Sequence, residues 1–166
     1  MKSRQFSKTD SFLINTPVGP VPNSASDERL LDLLTAMHNA APEDQAEHAR
    51  TALDADPENI EARIVLAMNA ATSHEAIMLL RDAVRIGDQL WAPVATGEVE
   101  ALWWEHLPTQ PYLCALHHLG VAFADTGLIE QARECFEDLL TMCPDDPLDA
   151  GKELDALSIY TPSNRR

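Results

Sequence analysis

Residues 113–144 read LCALHHLGVAFADTGLIEQARECFEDLLTMCP, and the order of small and large side chains in this stretch decides the fold. Apolar residues recur at helical spacing on either side of Thr126-Gly127, which predicts two helices, over about 111–125 and about 128–142. Gly120 on the first and Ala132 on the second are small, so the two antiparallel helices can approach closely. Phe123 and Phe136 fill the space beside that contact. Gly127 supplies the left-handed conformation of the turn. Pro144 ends the second helix because it cannot continue the hydrogen-bond ladder.

Seven of these positions, Leu119, Gly120, Phe123, Gly127, Ala132, Phe136 and Pro144, fall at the intervals of a tetratricopeptide repeat, and the segment resembles that family. Upstream, ALDADPENIEARIVLAMNAATSHEAIMLLRDAVRIGD looks like a divergent copy, with Leu66-Ala67 in place of Leu-Gly and Ala76 as the small residue. Ala67 and Ala76 are nine positions apart, against twelve for Gly120 and Ala132, so Thr72-Ser73 make a shorter turn without glycine. A shortened turn followed by a long insertion resembles the helical-repeat family named after the suppressor of tumorigenicity 7 protein, which has bacterial relatives. The stretches ARIVLAMNAATSHEAIMLLRDAVRIGD and TQPYLCALHHLGVAFADTGLIEQARECFEDLL carry that likeness. Where its bacterial members tend to have Arg before a Pro-Tyr pair, this chain has Gln110. The resemblance implies a helical-repeat fold and brings no established reaction with it.

Outward from these hairpins the pattern stays helical. Ser26 is placed to cap a helix carrying Leu30, Leu31, Leu33, Leu34 and Met37. Pro42 suits the first turn of a second helix, which stops at Asp56-Pro57. A third is expected over about 58–71 from its apolar period. Ser73 is expected to cap a fourth, ending at Gly87. Residues 88–111 form a Trp-rich insertion with Trp91, Trp103, Trp104 and three prolines, and a short helix is expected at about 96–106. A last helix is expected from Pro147 to Ser158, before a tail at 161–166. Residues 1–26, with Pro17, Pro20 and Pro22, read as a flexible arm in which Phe12, Leu13 and Ile14 form one sticky patch. No segment alternates with period two for long enough to suggest a sheet. The predicted fold is all-α: antiparallel hairpins over 27–160, stacked as a short, right-handed tetratricopeptide-like solenoid.

The arm carries three bases and one acid, a net +2, and the remainder nine bases and 26 acids, a net −17. Such a body repels phosphate backbones, so direct nucleic-acid binding is not expected. It favours encounter with basic partners, or serves solubility alone. No apolar run approaches the roughly 18–20 residues that cross a bilayer, and SFLINTPV is too short and polar for a signal-peptide core. A cytoplasmic protein is expected, with no membrane association. Cys114, Cys135 and Cys143 are odd in number and lack C-x-x-C spacing, so they read as buried free thiols.

A tetratricopeptide stack binds peptides on the face lined by the first helix of each hairpin. The resemblance therefore implies that Cys114, His117, Val121 and Ala124, with Asp125 at the edge, face a groove in the last repeat, and Glu61, Ile64 and Met68 in the earlier one. Family members that clamp a carboxylate terminus use Lys, Arg and Asn at such positions, and this chain has none there. A groove of this composition suits an apolar or basic segment, unless the arm or the last helix fills it. Trp103 and Trp104, as neighbours on one helix, diverge by about 100°, so one would pack while the other stays partly exposed as a binding contact. His106, His117 and His118 near Cys114 and Glu105 invite a metal, but no third and fourth ligands follow, and no catalytic constellation is recognisable. No cofactor, metal or catalytic residue is expected. The sequence predicts a non-catalytic adaptor or chaperone-like module for a protein partner, with homo- or hetero-oligomerisation open. The alternatives are an acidic inhibitor that mimics nucleic acid towards a basic protein, and a dedicated secretion chaperone.

Overall fold

The computed structural model describes residues 13–16, 19–22, 28–97 and 103–158. Among them are seven α-helices: α1 (Glu28–Asn39), α2 (Pro42–Ala55), α3 (Ile60–Met68), α4 (Ser73–Ala95), α5 (Gln110–Asp125), α6 (Ile129–Met142) and α7 (Ala150–Leu157). Each packs against the next, and α3 also packs on α5, and α5 on α7. The fold is all-α in its body, as the periodicity predicts. One local departure is a two-stranded antiparallel ribbon, β1 (Leu13–Thr16) with β2 (Gly19–Pro22), in which Asn15 faces Pro20. Proline is tolerated there because both strands of a two-stranded ribbon are edges. The expected cap at Ser26, the Phe12 patch and the 161–166 tail lie outside the described residues.

The helix starts follow local chemistry. Pro42 stands at the first turn of α2 with Glu43 and Asp44 beside it, where acids suit the macrodipole. Buried Asn59 caps α3, its Oδ1 accepting the Ala62 N–H at 2.9 Å. The fourth helix is capped by Thr72 rather than by Ser73: the Thr72 hydroxyl accepts the Glu75 N–H at 3.2 Å, while Glu75 reaches back to the Ala71 N–H. Ser73 is thereby the first helical residue.

Helix α4 does not end at Gly87 but runs on to Ala95, through Pro93. Gly87 is interior to the helix for a packing reason. The Tyr112 ring of α5 lies on it so closely that a Cβ would stand 2.0 Å from Tyr112 Cδ2. The short helix expected at about 96–106 is also absent from the described part of that stretch, where 103–106 make turns before a 3-10 segment at Leu107–Thr109. Side chains there take up backbone carbonyls that a helix would use: Thr109 Oγ1 donates to Trp103 and His106, and Gln110 Nε2 to Trp104. The last helix begins at Ala150, not Pro147, because the Asp146 carboxylate accepts the N–H groups of Ala150 and Gly151.

The hairpin of α5 and α6 matches its expectation closely. Gly127 has φ 78°, and the Leu128 and Gly127 N–H groups close back on Phe123 and Ala124. A Cβ on Gly120 would stand 2.7 Å from Phe136 Cε1, and Ala132 and Phe136 are fully buried. One apolar cluster joins α3 to α7 through Leu80, Leu113, Leu116 and Phe136, and a smaller one joins α1 and α2 to α3 through Leu34, Met37 and Ala62.

Candidate functional site

Two surfaces attract function, and the first is built from α1, α3 and α5. Glu61 of α3 meets His38 of α1, with Oε2 to Nε2 at 3.2 Å. Burial, and then the charge of Glu61, push the Cys114 thiol of α5 above its usual range, so Glu61 also lies near that helix. Helix α3 packs on α5, and α1 reaches α3 through the His38–Glu61 contact. On each, two residues seven positions apart, two turns of helix, share a face: Leu31 with His38, Glu61 with Met68, and Cys114 with Val121. His118 and Asp125 continue the α5 row.

Large apolar groups are exposed on these rows. Met68 is 68% exposed and Leu31 is 44% exposed. Glu61, Cys114, Val121 and Ala124 are half-buried, and Asp125 is exposed. Two of the expected groove residues do not belong to this face. Ile64 is only 8% exposed and packs in the core between α3 and the helices that follow. His117 turns towards α6, where its ring meets Phe136 edge-on at 5.7 Å. The histidine on the Cys114 row is His118, whose pKa burial, and then His117, push below its ordinary value. The sequence names His118 only beside Cys114 as a candidate metal ligand, and it does not place Leu31, His38 or His118 in the groove, although the seven-residue spacing carries them.

No protein-family model matches the chain, and no curated protein matches it. Its functional reading therefore rests on its own geometry. No helix among the described residues is long and apolar enough to cross a membrane.

The second surface lies between α4, α5 and the Trp-rich turn. Trp91 is 1% exposed, and its ring stands edge-on to His106 at 5.7 Å. Trp103 and Trp104 are both half-buried against the main core, so each packs and each stays partly exposed, rather than one packing and the other facing out. They sit on a turn rather than a helix, and the divergence between neighbours that a helix imposes does not apply. A cavity of about 210 Å³ opens here, walled by Trp91, Trp103 and Tyr112, with Gly87 and Asp88 along α4. The Trp103 and Tyr112 rings are 5.9 Å apart and inclined at 45°. The Tyr112 hydroxyl donates to Asp88 Oδ1 at 2.7 Å. Burial, and then that bond and the nearby acids, raise the Tyr112 pKa far above its ordinary value, so it remains a phenol donor.

The cysteines behave as the sequence predicts. Cys135 and Cys143 are buried, Cys114 is half-buried, and all three are free. Burial raises each thiol pKa, that of Cys135 up to about 11. Among the described residues no three His, Cys, Asp or Glu side chains are grouped to hold a metal ion.

Proposed function

We propose that this chain is a non-catalytic protein-binding module, an adaptor or chaperone-like protein, that receives a basic or apolar segment of another protein along α1, α3 and α5. The observation that carries it is the row of seven-spaced pairs, in which exposed Leu31 and Met68 each lie two helical turns from a member of the His38–Glu61 contact. Exposed apolar side chains together with a carboxylate suit a segment that offers aliphatic groups and a cation. The resemblance of 113–144 to a tetratricopeptide repeat supports the same reading, because such hairpins present their first helices to peptides. The net charge of −15 adds attraction to basic partners over a distance.

Affinity purification of the full chain from its native host, followed by mass spectrometry, tests this. A distinct set of proteins is expected to persist in moderate salt and to be lost with Met68→Lys, which places a cation where the segment docks. If only general chaperones and ribosomal proteins come down at low salt, and nothing survives moderate salt, the proposal fails.

An acidic mimic of nucleic acid is a second reading, favoured by Glu130, Glu134, Glu137 and Asp138, which share one side of α6 at spacings of four, seven and eight. Glu134, Asp88 and Glu137, after partial burial, lift the Asp138 carboxyl above the ordinary range. A partner held there would be lost in moderate salt and would ignore Met68→Lys.

A further inference from the structure

The methionines of the described residues differ sharply in their access to solvent. Met37 is fully buried in the cluster that joins α1 and α2 to α3. Met142 is half-buried against the main core. Met78 is 51% exposed on α4, a helix outside the groove. Met68 is 68% exposed at the end of α3, on the same face as Glu61. Its thioether is thus open to a dissolved oxidant, at a position where the groove offers an apolar surface.

The other sulfur atoms compete poorly for such an oxidant. Peroxide reacts with thiolates rather than thiols. Burial raises the pKa of all three cysteines, and at Cys114, on the groove face, the charge of Glu61 adds to the effect. A thioether has no proton to lose, so its exposure governs its reaction. A sulfur lone pair of Met68 attacks one oxygen of hydrogen peroxide and the O–O bond breaks. The departing hydroxide takes the proton from the transferred oxygen and leaves as water. The sulfur is oxidised by two electrons to the sulfoxide, and the peroxide is reduced. A methionine sulfoxide reductase reverses the change at the expense of a dithiol, which becomes a disulfide while the oxygen leaves as water.

Sulfoxidation turns a flexible apolar side chain into a polar one. Most of Met68 faces solvent, so the fold loses little. A segment docked on it would have to bury the new dipole without a partner. We propose that Met68 is a site of reversible oxidation by hydrogen peroxide, and that its sulfoxide closes the groove of α1, α3 and α5 to an apolar or basic segment. The closing step rests on the reading of that groove as a protein-binding surface; the modification of Met68 does not.

The full chain is immobilised, treated with hydrogen peroxide, then with dithiothreitol to reverse sulfenic acids and disulfides, and washed. Peptide mapping by mass spectrometry is expected to find Met68 and Met78 oxidised well before Met142 and Met37. The probe is the set of host proteins that persists on the untreated chain in moderate salt, eluted once and reapplied in equal amounts, so that the oxidant never meets it. Capture is expected to fall about tenfold after oxidation, at an unchanged melting temperature, and to return with methionine sulfoxide reductases acting on both epimers. Met68→Leu and Met78→Leu are each scored against their own untreated capture. Met68→Leu should keep its capture through the peroxide step, and Met78→Leu should lose it as the wild type does. Oxidation of Met68 no faster than that of Met37 overturns the site. Capture that survives oxidation of Met68, that falls equally in Met68→Leu, or that falls only together with the melting temperature overturns the closing step and leaves the groove standing. If the untreated chain captures nothing in moderate salt, the groove reading fails and the closing step with it, while the order of oxidation still decides the site.

Discussion

The Tyr112 ring lies against the backbone of Gly87, so that a Cβ at position 87 would stand 2.0 Å from Tyr112 Cδ2 and 2.6 Å from Cγ. This one approach ties α5 to the middle of α4, keeps a glycine inside a long helix, and leaves the aromatic cavity beside it.

Gly87→Ala follows directly as a test. In an exposed helix the change would stabilise by about 1 kcal/mol. Here the methyl group must displace a buried ring, a cost of about 1–3 kcal/mol. The net result expected is a lower melting temperature and a blue- or red-shifted tryptophan emission as the cavity distorts. A rise in melting temperature would contradict the packing.

Gly120→Leu attacks the hairpin of α5 and α6 in the same way. Phe136 is fully buried and has no space to retreat into, with Cε1 and Cζ 2.7 and 2.8 Å from the position of a Cβ. A loss of about 3 kcal/mol or more is expected, and urea denaturation measures it. A wild-type midpoint would refute the register of that hairpin.

Asn59→Ala removes a buried cap. Its Oδ1 satisfies the Ala62 N–H, which otherwise stays buried without a partner. About 1–2 kcal/mol should be lost, with Asn59→Ser recovering part of it because a hydroxyl can accept the same bond. Equal melting of all three proteins would show that the cap contributes nothing.

The thiols should be slow to alkylate. Burial raises each pKa, and with Cys135 up to about 11 its thiolate is roughly 100-fold scarcer at about pH 8 than that of an unshifted thiol. Iodoacetamide is expected to label Cys114 first, as the least buried, and Cys135 and Cys143 only on unfolding. Mass spectrometry of a time course would expose any departure from that order.

Much of this molecule is legible in its residues one stretch at a time. The turn at Gly127, the proline start of α2, the stop after Met142 and the small pair Gly120 and Ala132 all follow from local chemistry. They depend on backbone preference and on neighbours a few residues away. The errors arise from specific side-chain contacts, some distant in the chain and some local, that the pattern of residues does not reveal. Gly87 reads as a helix end because glycine favours one, yet its role is set by Tyr112, and Pro93 does not stop α4. Ser73 and Thr72 compete for one cap, and the position of Glu75 decides between them.

The groove shows the same division. The periodicity of the sequence alone determines that Glu61 and Met68 share one helix face and that Cys114 and Val121 share another. It cannot say which face meets a neighbour, because a helix with apolar residues on several sides has more than one face able to pack. Only the tertiary structure decides that Ile64 turns inward, that His117 goes to Phe136 while His118 stays on the Cys114 row, and that Trp91, Trp103 and Tyr112 enclose one space. Those outcomes depend on side chains that are distant in the chain and become neighbours only when the helices pack.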